Sequence, residues 1–100
     1  MPDETVRDAI DRAREAYSTL GELGETIDEE WSYVTDLGDA WVARFDEVAG
    51  ARGDETIGPD AGRAVDQAID EIGRIEDPHR AIDWLSTFPQ VVLVALGERP

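Results

Sequence analysis

The chain has no cysteine, no lysine and no asparagine, and only one histidine and one methionine. Without cysteine there are no disulfides, no thiolate metal ligands and no thiol nucleophile. With only His79, a bundle site built from two Glu-x-x-His pairs cannot be completed within one chain. Three serines are present, Ser18, Ser32 and Ser86, and none lies in a G-x-S-x-G turn. The glycine-rich stretch GARGDETIG lacks the lysine of a phosphate-binding loop and follows no strand signal. Its Arg52-Gly53-Asp54 tripeptide is common and carries no meaning here. Long apolar runs are missing too. The longest, Val91 to Leu96 (VVLVAL), falls far short of the roughly 20 residues that span a bilayer. The N-terminal MPDETVRDAIDR has no basic region followed by an apolar core, so a signal peptide is not expected and a cytoplasmic location follows by default.

What is abundant is acid. Twenty-four carboxylates face nine basic residues, all arginine, for a net charge of −15 in 100 residues. High acidity can signal disorder, but 41% of the residues are apolar and recur with helical spacing. A chain of this length forms one domain and buries roughly two thirds of its unfolded surface. A folded domain so charged repels itself in dilute buffer, whereas at ~1 M salt the Debye length is about 3 Å and the repulsion is screened. The composition resembles that of proteins from salt-loving archaea and fits a halophilic cytoplasm. Helicity is expected to fall at low ionic strength, which circular dichroism in dilute and concentrated KCl would read.

The apolar pattern predicts an all-α bundle of four helices. Val6, Ile10, Ala13, Tyr17 and Leu20 step by four and three and mark one face of the first, with Gly21 and Gly24 as stops. Thr26 to Glu29 is a capping-box pattern opening the second, whose seam is Ile27, Trp31, Val34, Gly38, Trp41, Phe45 and Val48. Gly38 either breaks that helix or admits a close neighbour, and the unbroken phase favours close packing. Residues 50–59 form a loop. The third helix begins near Pro59 or Asp60, carries Ala61, Val65, Ala68, Ile72 and Ile75, and is expected to end at Asp77-Pro78. Asp77 as N-cap and Pro78 as first residue start the fourth.

The fourth segment is the odd one. Ile82, Leu85 and Phe88 share a face with Trp84 beside it. Pro89 would clash with the Leu85 carbonyl, and Thr87 to Gln90 again resembles a capping box, so a break at Pro89 is expected. The following VVLVAL is apolar all round, which for a helix implies burial all round. Its three valines also suit a strand, although no pairing strand is evident. Asp83 and Glu98 are balanced by Arg80 and Arg99, so residues 78–100 carry no net charge. This tail is either the core staple of the bundle or half of a homodimer interface, with Trp84, Leu85, Phe88, Val91, Val92, Val94 and Leu96 as interface residues.

No catalytic, cofactor or metal residue is expected. His79 follows Glu76 at the Glu-x-x-His spacing, but Pro78 separates the two, and an imidazole in a helical first turn is the plainer reading. A single histidine beside a carboxylate could also serve as an acid–base group. Asp54, Glu55 and Asp60 in the loop could hold a hard cation, yet the ligand ladder of an EF-hand is absent. Pairs such as Asp66 and Asp70 are expected by chance in so acidic a chain. Arg7, Arg12 and Arg14 form the largest basic group and would be the contacts of a nucleic-acid-linked or transcription-associated factor. They alternate with Asp8, Asp11 and Glu15, which makes salt-bridge roles on a solvated face more natural. The function expected first is therefore a non-enzymatic interaction or regulatory protein. A nucleic-acid-linked factor comes second, and an enzyme or metal protein using His79 third.

Overall fold

The computed structural model describes residues 4–24, 26 and 31–98, and for 31–35 the backbone only. It is a four-helix all-α bundle: α1 Val6–Gly24, α2 Trp31–Arg52, α3 Pro59–Gly73 and α4 Pro78–Ala95. Among the described residues the one β feature is an isolated bridge between Thr5 and Thr56. The most extensive contact joins α1 to α4, and α2 and α3 flank that central pair. The radius of gyration, 13.4 Å, is close to the ~13 Å of a compact 100-residue domain.

The four-three seams become the core. Val6, Ile10, Ala13, Tyr17 and Leu20 of α1 are all buried, as are Phe45 and Val48 of α2 and Val65, Ala68 and Ile72 of α3. Trp41, Ile75 and Ile82 pack half-buried against this cluster. Ile27 and the side chains of Trp31 and Val34 lie outside the described residues, as does part of the Thr26–Glu29 box. Thr26 itself serves α1: its N–H and its hydroxyl both donate to the Leu23 carbonyl, at 3.3 and 2.8 Å.

The start of α1 is built by two devices. Thr5 and Asp8 cap each other reciprocally: the Asp8 N–H donates to the Thr5 hydroxyl at 3.3 Å and the Thr5 N–H to the Asp8 carboxylate at 3.4 Å. The loop after α2 then supplies acceptors that a helix N-terminus lacks. Val6 N–H donates to the Glu55 carbonyl at 2.8 Å and Arg7 N–H to that of Gly53 at 3.2 Å. Gly53 is buried there, and a Cβ on it would collide with the Ala49 carbonyl and the Arg7 guanidinium.

Three expectations need correction. First, α2 runs unbroken across Gly38, but no tight approach requires the glycine: an added Cβ would lie 3.9 Å from a Tyr17 ring carbon, an ordinary contact. Second, α3 ends at Gly73 and not at Asp77, its last turn tightening as the Arg74 and Ile75 N–H groups bond carbonyls three residues back. The start of α4 is as expected, with Asp77 accepting from the His79 N–H at 3.0 Å and Pro78 at the first position.

Third, α4 does not break at Pro89. It is one helix from Pro78 to Ala95, and residues 91–95 are helical, not a strand. The reason is a side chain from another helix. Proline has no N–H to give the Leu85 carbonyl, which is buried and would be left without a donor. The Tyr17 hydroxyl of α1 donates to that carbonyl at 2.9 Å. The Tyr17 ring stacks on Phe88 (centroids 6.3 Å apart, planes 12° apart) and meets Phe45 edge-on. Thr87 caps no new helix; its hydroxyl donates back to the Asp83 carbonyl within the continuous one.

The C-terminus of α4 is closed by a Schellman motif. Gly97 takes φ +83°, the Gly97 N–H donates to Val94 and the Glu98 N–H to Leu93. Arg52 of α2 adds a bond to the Leu96 carbonyl at 2.8 Å.

Candidate functional site on the fourth helix

Helix geometry divides the apolar tail between two surroundings. Leu85, Phe88, Val92 and Leu93 are fully buried, and Leu96 nearly so, inside the chain's own core. Of the seven residues expected at an interface, Leu85, Phe88, Val92 and Leu96 thus already have their partners within one copy. Val91 and Val94 face outward, 38% and 58% exposed, and are the exposed large apolar side chains among the described residues. They line a shallow groove between α3 and α4 with Ala64, Thr87, Gln90 and Ala95. Complete burial of VVLVAL is therefore not observed: its helical residues 91–95 cover more than a full turn, and the neighbouring helices leave the side that carries Val91 and Val94 open. Trp84 lies apart from this groove, half-buried at the other end of α4 beside Ile75, Arg74, Arg80 and Glu71.

The groove sits in an uncharged stretch. From Trp84 to Gly97 there is no ionisable side chain, in a chain where one residue in three is charged. Acidic residues resume at Glu98, which is held by Arg52 at 2.7 Å and Arg44 at 3.5 Å. The hydrogen bond from Arg52, with the charges of Arg52 and Arg44, holds the Glu98 carboxyl below the usual carboxylate range. The same bond, joined by one to Glu55, raises the Arg52 guanidinium above its ordinary value.

The three α1 arginines are engaged elsewhere. Arg7 pairs with Asp54 at 3.2 Å, Arg12 bridges Glu4 and Asp66, and Arg14 pairs with Asp46. Burial would lower the Arg12 pKa, but the hydrogen bonds to Asp66 and Glu4 outweigh it and raise it. These cations tie α1 to the loop, to α3 and to α2, and a phosphate would have to displace carboxylates from them. The acids expected in the loop are likewise committed: Asp54 to Arg7, Glu55 to Arg52 and Asp60, which lies in the first turn of α3, to Arg63. Asp66 and Asp70 each hold an arginine, Arg12 and Arg74. His79 is exposed in the first turn of α4. Among the described residues no three histidine or carboxylate side chains converge as a metal site would need, and no helix is long and apolar enough to cross a membrane.

Two features escaped the sequence. The Tyr17–Leu85 bond had a signal, a seam tyrosine and a mid-helix proline, but nothing local links residues 68 positions apart. The Thr5–Asp8 cap had a local signal that was not picked out, Thr-x-x-Asp ahead of the first seam. Compared with known protein families, curated proteins and solved structures, the chain matches none.

Proposed function

We propose that the protein is a non-enzymatic interaction protein of a halophilic cytoplasm, pairing with a second copy through the outer face of α4. The observation that carries this is the uncharged surface of residues 84–97 with Val91 and Val94 exposed on it. Two copies carrying −15 each repel wherever carboxylates meet carboxylates. The α4 face is where they can approach without that penalty, and two valines with two alanines supply apolar area to bury. The exposed patch is small beside the ~800 Å² per partner of a standard interface. The pairing is accordingly weak and salt-promoted, a reversible association that leaves the acidic faces of α2 and α3 free for further partners.

Light-scattering mass in concentrated KCl tests this. The expected value is twice the 11.0 kDa of the chain at high protein concentration, returning to that of one chain for Val94→Asp with unchanged helicity. A wild-type mass of one chain across all concentrations would overturn the pairing.

A further inference from the structure

Eight of the nine arginines lie among the described residues, and seven of these pair with a carboxylate. Arg80 is the exception: among the described residues its side chain holds none, in a chain with 24 acids to choose from. It borders a cleft between the end of α3 and the first turns of α4, lined with it by Glu71, Arg74, Ile75 and Trp84. Arg80 and Trp84 are four residues apart and share one face of α4. Arg74 is bound to Asp70 through one guanidinium nitrogen at 2.8 Å, so the rest of its fork of donors is available. Glu71 holds no arginine among the described residues. Ile75 and Trp84 form a half-buried apolar wall, anchored on the core.

The cleft therefore combines two cationic forks, one anionic acceptor and an apolar wall with an aromatic ring. A plain anion would use the arginines, but Glu71 and the net charge of −15 would oppose it. A plain cation would use Glu71 and be opposed by two guanidiniums. We infer that the cleft binds a free α-amino acid with an apolar, preferably aromatic, side chain. Its carboxylate lies with Arg80 and Arg74, its ammonium with Glu71 and its side chain against Trp84 and Ile75. Such a zwitterion has no net charge, so the field of the protein neither draws nor rejects it, and recognition rests on the local pairing of opposite charges.

The test is titration calorimetry of the full chain in concentrated KCl with L-phenylalanine. Saturable binding is expected. Phenylacetate and phenethylamine, which each lack one charge, should bind at least about tenfold more weakly. Arg80→Gln and Glu71→Gln should each weaken phenylalanine by a similar factor, and circular dichroism should match the parent because both side chains are exposed. Absence of saturable heat with phenylalanine overturns the proposal. So does phenylacetate binding as tightly as phenylalanine, which would make this a simple anion cleft. Unchanged affinity in either variant does the same.

Discussion

The two sides of α4 are made of the same kinds of residue and meet opposite fates. Toward α1, Leu85, Phe88, Val92 and Leu93 are sealed from water, and the backbone defect at Pro89 is repaired by a tyrosine from the facing helix. Away from α1, Val91 and Val94 stand in solvent beside Thr87 and Gln90. Hydrophobicity alone does not separate these faces, since valine appears on both. Position relative to the neighbouring helices does. The inner side has a partner that supplies shape and a hydrogen bond, whereas the outer side borders α3 only along one edge, at Ala64, and is left partly open.

That contrast can be broken most sharply by truncation. Phe88→Ala should cost about 3–5 kcal/mol of stability, since the ring is fully buried and stacked on Tyr17. Val94→Ala on the outer side should change unfolding in denaturant little, because surface changes usually fall within about 0.5 kcal/mol. Equal losses in urea melts would erase the distinction between the faces. Tyr17→Phe is the finer cut on the inner side. It keeps the ring and removes only the hydroxyl, leaving the Leu85 carbonyl buried without a donor, for an expected loss of about 1–3 kcal/mol. A variant as stable as the parent would show that Pro89 needs no such repair.

Gly38→Ala should act in the other direction. The site is helical and a Cβ fits at ordinary contact distance, so thermal unfolding should show a gain of up to about 1 kcal/mol. A loss would mean that α1 and α2 approach more closely than these contacts allow. The smallest effect is electrostatic. Glu98 has its carboxyl depressed in the folded state by Arg52 and Arg44. Its contribution is present above the unfolded carboxylate value and is lost as pH falls through the lower folded one. Glu98→Gln should therefore flatten the acid limb of the stability curve slightly, and should do so less in concentrated salt because the pair is partly exposed. An acid limb identical to that of the parent would mean that the Arg52 clamp contributes nothing beyond its bond to Leu96.

Much of this architecture was legible in one dimension. Local period and local punctuation mark the four helices, because a helix must bury one stripe and because capping residues, glycine and proline favour its ends, although Gly38 and Pro89 lie inside helices here. The seams of α1 and α3 and the Asp77-Pro78 start of α4 are of this kind. Gly97, not singled out from the sequence, closes α4 in the left-handed conformation that a residue with a Cβ avoids. The end of α3 was misplaced because Ile75 keeps the apolar phase after the helix has ended; it packs on the core from a turn.

The sequence by itself determined that this chain is helical, acidic and unable to support thiol chemistry, since those properties follow from residue type and spacing. The tertiary structure decided what happens to its apolar tail. Whether Pro89 breaks the helix depends on a hydroxyl delivered by α1, and which valines see water depends on where α1 and α3 stop covering α4. Both outcomes rest on contacts between residues distant in the chain, and no local rule of period or propensity contains that information.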